Sequence, residues 1–108
     1  MAFTGFLITK SIFMAKFYSF EYVKNVNGSS RFDKPAGYSS WLDYWEDVTG
    51  LDASEATGYK REELDGCHVQ LVDNEDKGWY ITPMPSSWNH DDKEHFITWE
   101  IVPVPSRL

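Results

Sequence analysis

Gly66 to Asn89 reads GCHVQLVDNEDKGWYITPMPSSWN. Two β-prone runs, Cys67–Val72 and Trp79–Thr82, flank Asp73-Asn74-Glu75-Asp76-Lys77-Gly78, whose residues favour turns, so the stretch predicts a β-hairpin. Pro83 and Pro85 are expected to stop the second strand, because proline has no N–H to give to a ladder. Ser86 or Ser87 is placed to cap a short helix reaching towards Glu94.

On the N-terminal side of the hairpin, SSWLDYWEDVTG carries the clearest helix signal in the chain. Ser40 supplies an N-cap, Asp43 follows three residues later, and Gly50 supplies the stop. Trp41, Trp45 and Val48 share one face, widened by Leu42 and Tyr44, while Asp43 and Asp47 lie on the other. Leu51 to Asp65 reads as turns with one helical turn. Further out, Phe17–Val23 (FYSFEYV) is β-prone, with Tyr18, Phe20 and Tyr22 on one face. Asn25–Gly37 is a Gly/Ser/Pro loop. Phe96–Val102 (FITWEIV) is the last strand, with Ile97, Trp99 and Ile101 facing one way, and the remaining residues form an extended tail. The fold class that follows is α+β: a small antiparallel sheet with a central hairpin, packed on one Trp-rich helix.

A chain of 108 residues, 42% of them apolar, suits one domain, placed at 17–108. Residues 1–16 are read as an N-terminal extension or edge strand. They lack the basic leading region and cleavage site of a signal peptide, and Lys10 interrupts the apolar run. No run approaches the ~18 apolar residues of a membrane span. A single cysteine excludes an intramolecular disulfide, and the cytoplasm is the expected location. The formal charge of −7 disfavours direct nucleic-acid binding, which depends on Lys and Arg neutralising phosphates.

WLDYWEDVTG, GCHVQLV, WYITP and SSWN together resemble a group of small bacterial zinc domains. Their pattern runs W-x-x-Y/H-W-x-x-x-T/S-G, a Cys pair, G-A-H-V, Y-I-x-P-L-C-x-x-C-N, and a terminal strand ending V-P-V. The organisation is similar to a treble clef, the scaffold that also underlies the HNH nucleases. The resemblance covers about residues 40–104. Gly66-Cys67-His68-Val69 takes the place of G-A-H-V, and Tyr80-Ile81-Thr82-Pro83-Met84 that of Y-I-x-P-L. Pro85 and Trp88 stand where the second ligand pair belongs, followed by Asn89. The first pair belongs within Ala53–Glu62, where there is neither cysteine nor histidine. The resemblance therefore implies a degenerate member that has lost its metal, with Trp88 and other aromatics filling the vacated space.

Metal ligation has little to work with. Cys67 and His68 are neighbours that a strand points to opposite faces, and His90 and His95 are five apart, a poor spacing for one helical face. No metal site and no cofactor are expected. The carboxylates of Asp73–Asp76 lack the twelve-residue calcium pattern and read as a solvated turn. His68 is the one candidate general base, in the HNH manner, with Asn89 or His90 as a metal partner; that mechanism needs a divalent ion that nothing else positions. Cys67 and His68 do not form a nucleophilic dyad.

The expected function is that of a non-catalytic binding domain with a protein partner, not an enzyme. Trp79 and Trp88 are the candidate hot spots, with His68 and Asn89 beside them. The alternatives are an acidic inhibitor that copies nucleic-acid charge and binds a basic protein, and a residual metal-dependent nuclease using His68.

Overall fold

The computed structural model describes residues 17–26, 35–73 and 78–105. The structure is an α+β fold of five antiparallel strands and two helices. The strands are β1 (Glu21–Asn25), β2 (Leu64–Leu71), β3 (Tyr80–Pro85), β4 (His95–Ile97) and β5 (Val102–Pro103), ordered β4-β1-β2-β3-β5. The helices are α1 (Trp41–Thr49) and α2 (Ala53–Thr57); single 3-10 turns follow at Arg61–Glu63 and Ser86–Trp88. No helix of the described residues is long and apolar enough to cross a membrane. Residues 1–16, most of the Gly/Ser/Pro loop and Asn74–Lys77 of the hairpin turn lie outside the described residues.

α1 forms as its sequence dictates. The Ser40 hydroxyl accepts the Asp43 N–H at 3.0 Å, and Gly50 closes the helix in the left-handed region (φ 73°), giving its N–H to Glu46 O. Trp41, Leu42 and Trp45 are buried, Trp45 completely. They pack with Ala53, Leu64, Ile81 and Val102, so α1 lies on the outer face of β2, β3 and β5. The approach is close at Gly66, where a Cβ would stand 2.6 Å from Leu42 N and 2.7 Å from Trp41 C. Only glycine lets the helix settle on β2 at that depth.

The other face of the sheet encloses a second core of Val23, Cys67, Val69, Leu71, Tyr80, Met84, Ile97 and Ile101. β4 and β5 are successive pieces of one segment, 95–103. Its first part pairs with β1, its last with β3, and Tyr18 and Ile101 exchange two backbone hydrogen bonds between them. The two ends of the sheet are thus held by the same stretch of chain, and the sheet curls around its inner core. Tyr18 and Tyr80 meet edge to face across it, 5.5 Å between ring centroids.

Several expectations are corrected. β3 does not stop at Thr82 but runs through both prolines, pairing Gly66 with Pro83 and Leu64 with Pro85. A strand residue turns its N and its C=O to the same edge; the Pro83 carbonyl accepts the Trp99 indole N–H (2.9 Å), so its ring nitrogen faces away from β2, where no ladder needs a donor. The hairpin accordingly begins at Leu64, not Cys67. The helix expected from Ser86 towards Glu94 is one 3-10 turn, after which His90 adopts a positive φ of 80°. The strand expected over Phe96–Val102 is broken into β4 and β5, and Val102–Pro103 pairs with β3 instead of trailing away. The strand expected over Phe17–Val23 is likewise shifted to Glu21–Asn25. Phe20 sits at φ 56°, which resets the alternation: Tyr18 and Val23 both reach the inner core, while Phe20 and Tyr22 point outward against Phe96.

Candidate functional site

Strand alternation separates Cys67 from His68. Cys67 belongs to the inner core, 2% exposed, and burial pushes its thiol up to about 12, reinforced by the charges of Asp65 and Asp91. At neutral pH the group is a protonated thiol with no nucleophilic character. His68 faces α1. Its ring lies edge-on to Trp41 (4.8 Å) and Trp79 (6.2 Å), and it is 5% exposed. Burial lowers its pKa, because a charged imidazole would lose its hydration there. His68 is thus a neutral ring boxed between two indoles and shut off from a substrate in solvent.

The four residues singled out from sequence fall into two pairs at opposite ends of β3. Trp79 precedes the strand and neighbours His68. Trp88 and Asn89 follow it, about 20 Å away at the rise of an extended chain. They therefore do not form one patch.

The Trp88 end is tightly organised. The Trp88 indole stacks on the His95 imidazole with centroids 4.5 Å apart and planes 4° from parallel. His95 Nε2 is 2.9 Å from the Asp91 carboxylate, and that hydrogen bond holds Asp91 below the usual carboxylate range. Asn25 Nδ2 donates to the carbonyls of Trp88 (2.9 Å) and Asp91 (3.1 Å), tying the turn to β1. Asn89 Nδ2 donates to Asp65 Oδ2 at 3.3 Å, tying it to β2. Along the sequence His95 and His90 are five apart, a spacing that pairs them poorly. The spacing that mattered was Asp91 to His95, four residues apart, a pattern that presents an acid and a base to each other only once the backbone has turned.

Two grooves flank the 3-10 turn at Arg61–Glu63 and share Glu62. The first, about 390 Å³, runs between Tyr59, Glu62 and Glu63 on one side and Pro85, Ser86 and Ser87 on the other. The Tyr59 ring stands edge-on to Trp88, centroids 6.0 Å apart. The second, about 540 Å³, lies at the start of α1 and includes Arg61, Asp65, Gly66 and Asn89. Arg61 is already committed: its guanidinium bridges Asp43 (2.5 Å) and Glu46 (3.0 Å), which together hold it firmly charged. The carboxylates of Glu62 and Glu63 are exposed.

Charge is distributed unevenly. Residues 43–65, which build most of α1, all of α2 and the 3-10 turn, contain eight acidic and two basic residues, a net −6. The described residues outside this segment carry six acidic and two basic side chains, a net −4. Asp47, Asp52, Glu55, Glu62 and Glu63 of this layer are exposed. Among the described residues no group of three His, Cys, Asp or Glu side chains is arranged to hold a metal ion.

Comparison with known proteins adds nothing to this geometry: no family model, no curated protein and no solved structure matches the chain.

Proposed function

We propose that the chain is a non-catalytic binding domain whose α1–α2 layer receives a basic protein partner. The observation that carries this reading is the density of acid on one helical layer, a net −6 within residues 43–65, whose exposed carboxylates outnumber the two bases there. Such a field speeds and orients encounter with a positive surface and repels nucleic acid. The side chains with intrinsic reactivity support the non-catalytic half of the reading, since Cys67 is a buried thiol and His68 a buried neutral ring.

The descent from a zinc-domain scaffold remains part of the proposal. It is supported by the position of Tyr59 against Trp88: the segment where one ligand pair belongs faces the turn where the other belongs, and two aromatic rings meet there. The acidic inhibitor is the same reading carried further, with the layer standing in for a phosphate backbone.

The test uses the whole chain, immobilised and exposed to cell lysate, beside an Asp47→Asn/Asp52→Asn/Glu55→Gln variant that keeps the helix cap at residue 52. Basic proteins are expected on the unaltered chain, released as salt rises to about 0.5 M, where surface charges are screened within a few ångströms. They are expected to be absent from the variant. Capture indifferent to both salt and the substitutions overturns the reading.

A further inference from the structure

We infer that the groove between Tyr59–Glu63 and Pro85–Ser87 is a receptor for a single cationic side chain, an arginine, carried by that basic partner; the inference rests on the acidic-layer reading above. The groove's chemistry selects its occupant. Tyr59 is 37% exposed and lines the groove with Pro85, so part of a phenol ring is offered to a ligand. The ring is held in place, because it leans edge-on against Trp88, and Trp88 is itself fixed by its stack on His95 and by Asn25 gripping its carbonyl. A rigid aromatic wall loses little freedom when a ligand arrives.

The rim supplies the charge. Glu62 and Glu63 both line the groove, and Glu63 also accepts the Lys60 N–H at 3.3 Å. Among the described residues Glu62 has no ion pair, and the adjacent Arg61 is occupied by Asp43 and Glu46. A cation entering here meets a π face and unneutralised carboxylate together, the combination that favours guanidinium and ammonium groups. Guanidinium fits better than ammonium. It is planar, lies flat on a ring, offers a fork of donors to a carboxylate, and is more weakly hydrated. The volume of about 390 Å³ is within the ~300–1,000 Å³ of sites that take small groups. Two carboxylates on one turn exclude an anion, and the absence of a third ligand among the described residues disfavours a metal ion.

The experiment titrates the full chain with N-acetyl-arginine amide, following backbone amide resonances, with N-acetyl-lysine amide and N-acetyl-norleucine amide as parallel arms. Arginine amide should give saturable shifts centred on Tyr59, Glu62, Glu63, Ser86 and Ser87, lysine amide weaker ones, and norleucine amide none. Tyr59→Leu and Glu62→Gln should each weaken the arginine response about two- to fivefold, the size of an exposed cation–π contact and a screened charge pair. Both sites are exposed, so folded variants are expected, checked by circular dichroism. Equal shifts with norleucine amide would reduce the groove to a plain apolar crevice, and a lysine response as strong as arginine's, shifts centred elsewhere, or shifts untouched by both variants overturn the inference too. The two readings fail separately. Loss of salt-sensitive capture with the groove titration intact removes the acidic layer alone; intact capture without the titration removes the groove alone.

Discussion

Gly66 has no side chain because α1 leaves no room for one: the nearest atoms, at 2.6 and 2.7 Å, are helix backbone and cannot rotate away. Gly66→Ala is therefore expected to lift α1 off β2 and lower stability by about 1–3 kcal/mol, the ordinary range for overpacking. A urea midpoint that does not move would mean the helix sits further from the strand. His68 makes a prediction of a different kind. Its folded pKa is depressed by burial between Trp41 and Trp79, while in the unfolded chain it titrates near the usual ~6.5. Between those two values the unfolded state binds more protons, so stability is complete above about pH 6.5 and declines as pH falls below it. Urea midpoints at a series of pH values should show that slope, and His68→Leu should flatten it. The depressed Asp91 adds its own loss only on further acidification, as pH falls through the carboxylate range below about 3.9.

At the scale of elements, α1 is the anchor. Trp45 is fully buried, and its indole N–H donates to Glu100 O at 2.9 Å, the same carbonyl that accepts the Thr82 hydroxyl. One side chain thus joins the helix to the segment between β4 and β5. Trp45→Ala is expected to lower stability by about 3–5 kcal/mol, with the melting temperature as the readout. An unchanged melting temperature would contradict the burial. This helix was legible in the sequence to the residue, because a cap, a face and a stop are local signals. The strands were legible as β but not in their limits. Pro83 and Pro85 look like breakers when read alone, yet they lie where β3 has no ladder on its outer edge. Phe20 looks like a member of an alternating face, yet its left-handed backbone ends that alternation.

Across the whole molecule, the chain has two cores and one helical layer that is denser in acid than the rest. The inner core lies within the curled sheet, the outer one under α1, and the acidic residues ride on the helical layer that covers it. Stability on this plan comes from aromatic and aliphatic burial. Protein purified without added metal is expected to contain no stoichiometric zinc, and chelator should leave its melting temperature unchanged. One zinc per chain would overturn the metal-free reading, because a structural zinc contributes directly to folding.

The candidate site was only half legible. The sequence places His68 on the hairpin strand and Trp88 and Asn89 just after the hairpin, but nothing local reveals that Trp79 and Trp88 stand at opposite ends of β3. Tyr59, Glu62 and Glu63 drew attention only as part of a charged, turn-rich run. The sequence by itself determined the helix, the hairpin, the class of fold and the excess of acid in residues 43–65, since each depends on neighbours a few positions apart. Only the tertiary structure decided that segment 95–103 holds both ends of the sheet, that Asp91 meets His95 beneath Trp88, and that Tyr59 faces the turn after β3. The first and last of those contacts join residues far apart along the chain, while Asp91 and His95, four apart, meet only because the backbone turns at His90 and is tied to β1 by Asn25.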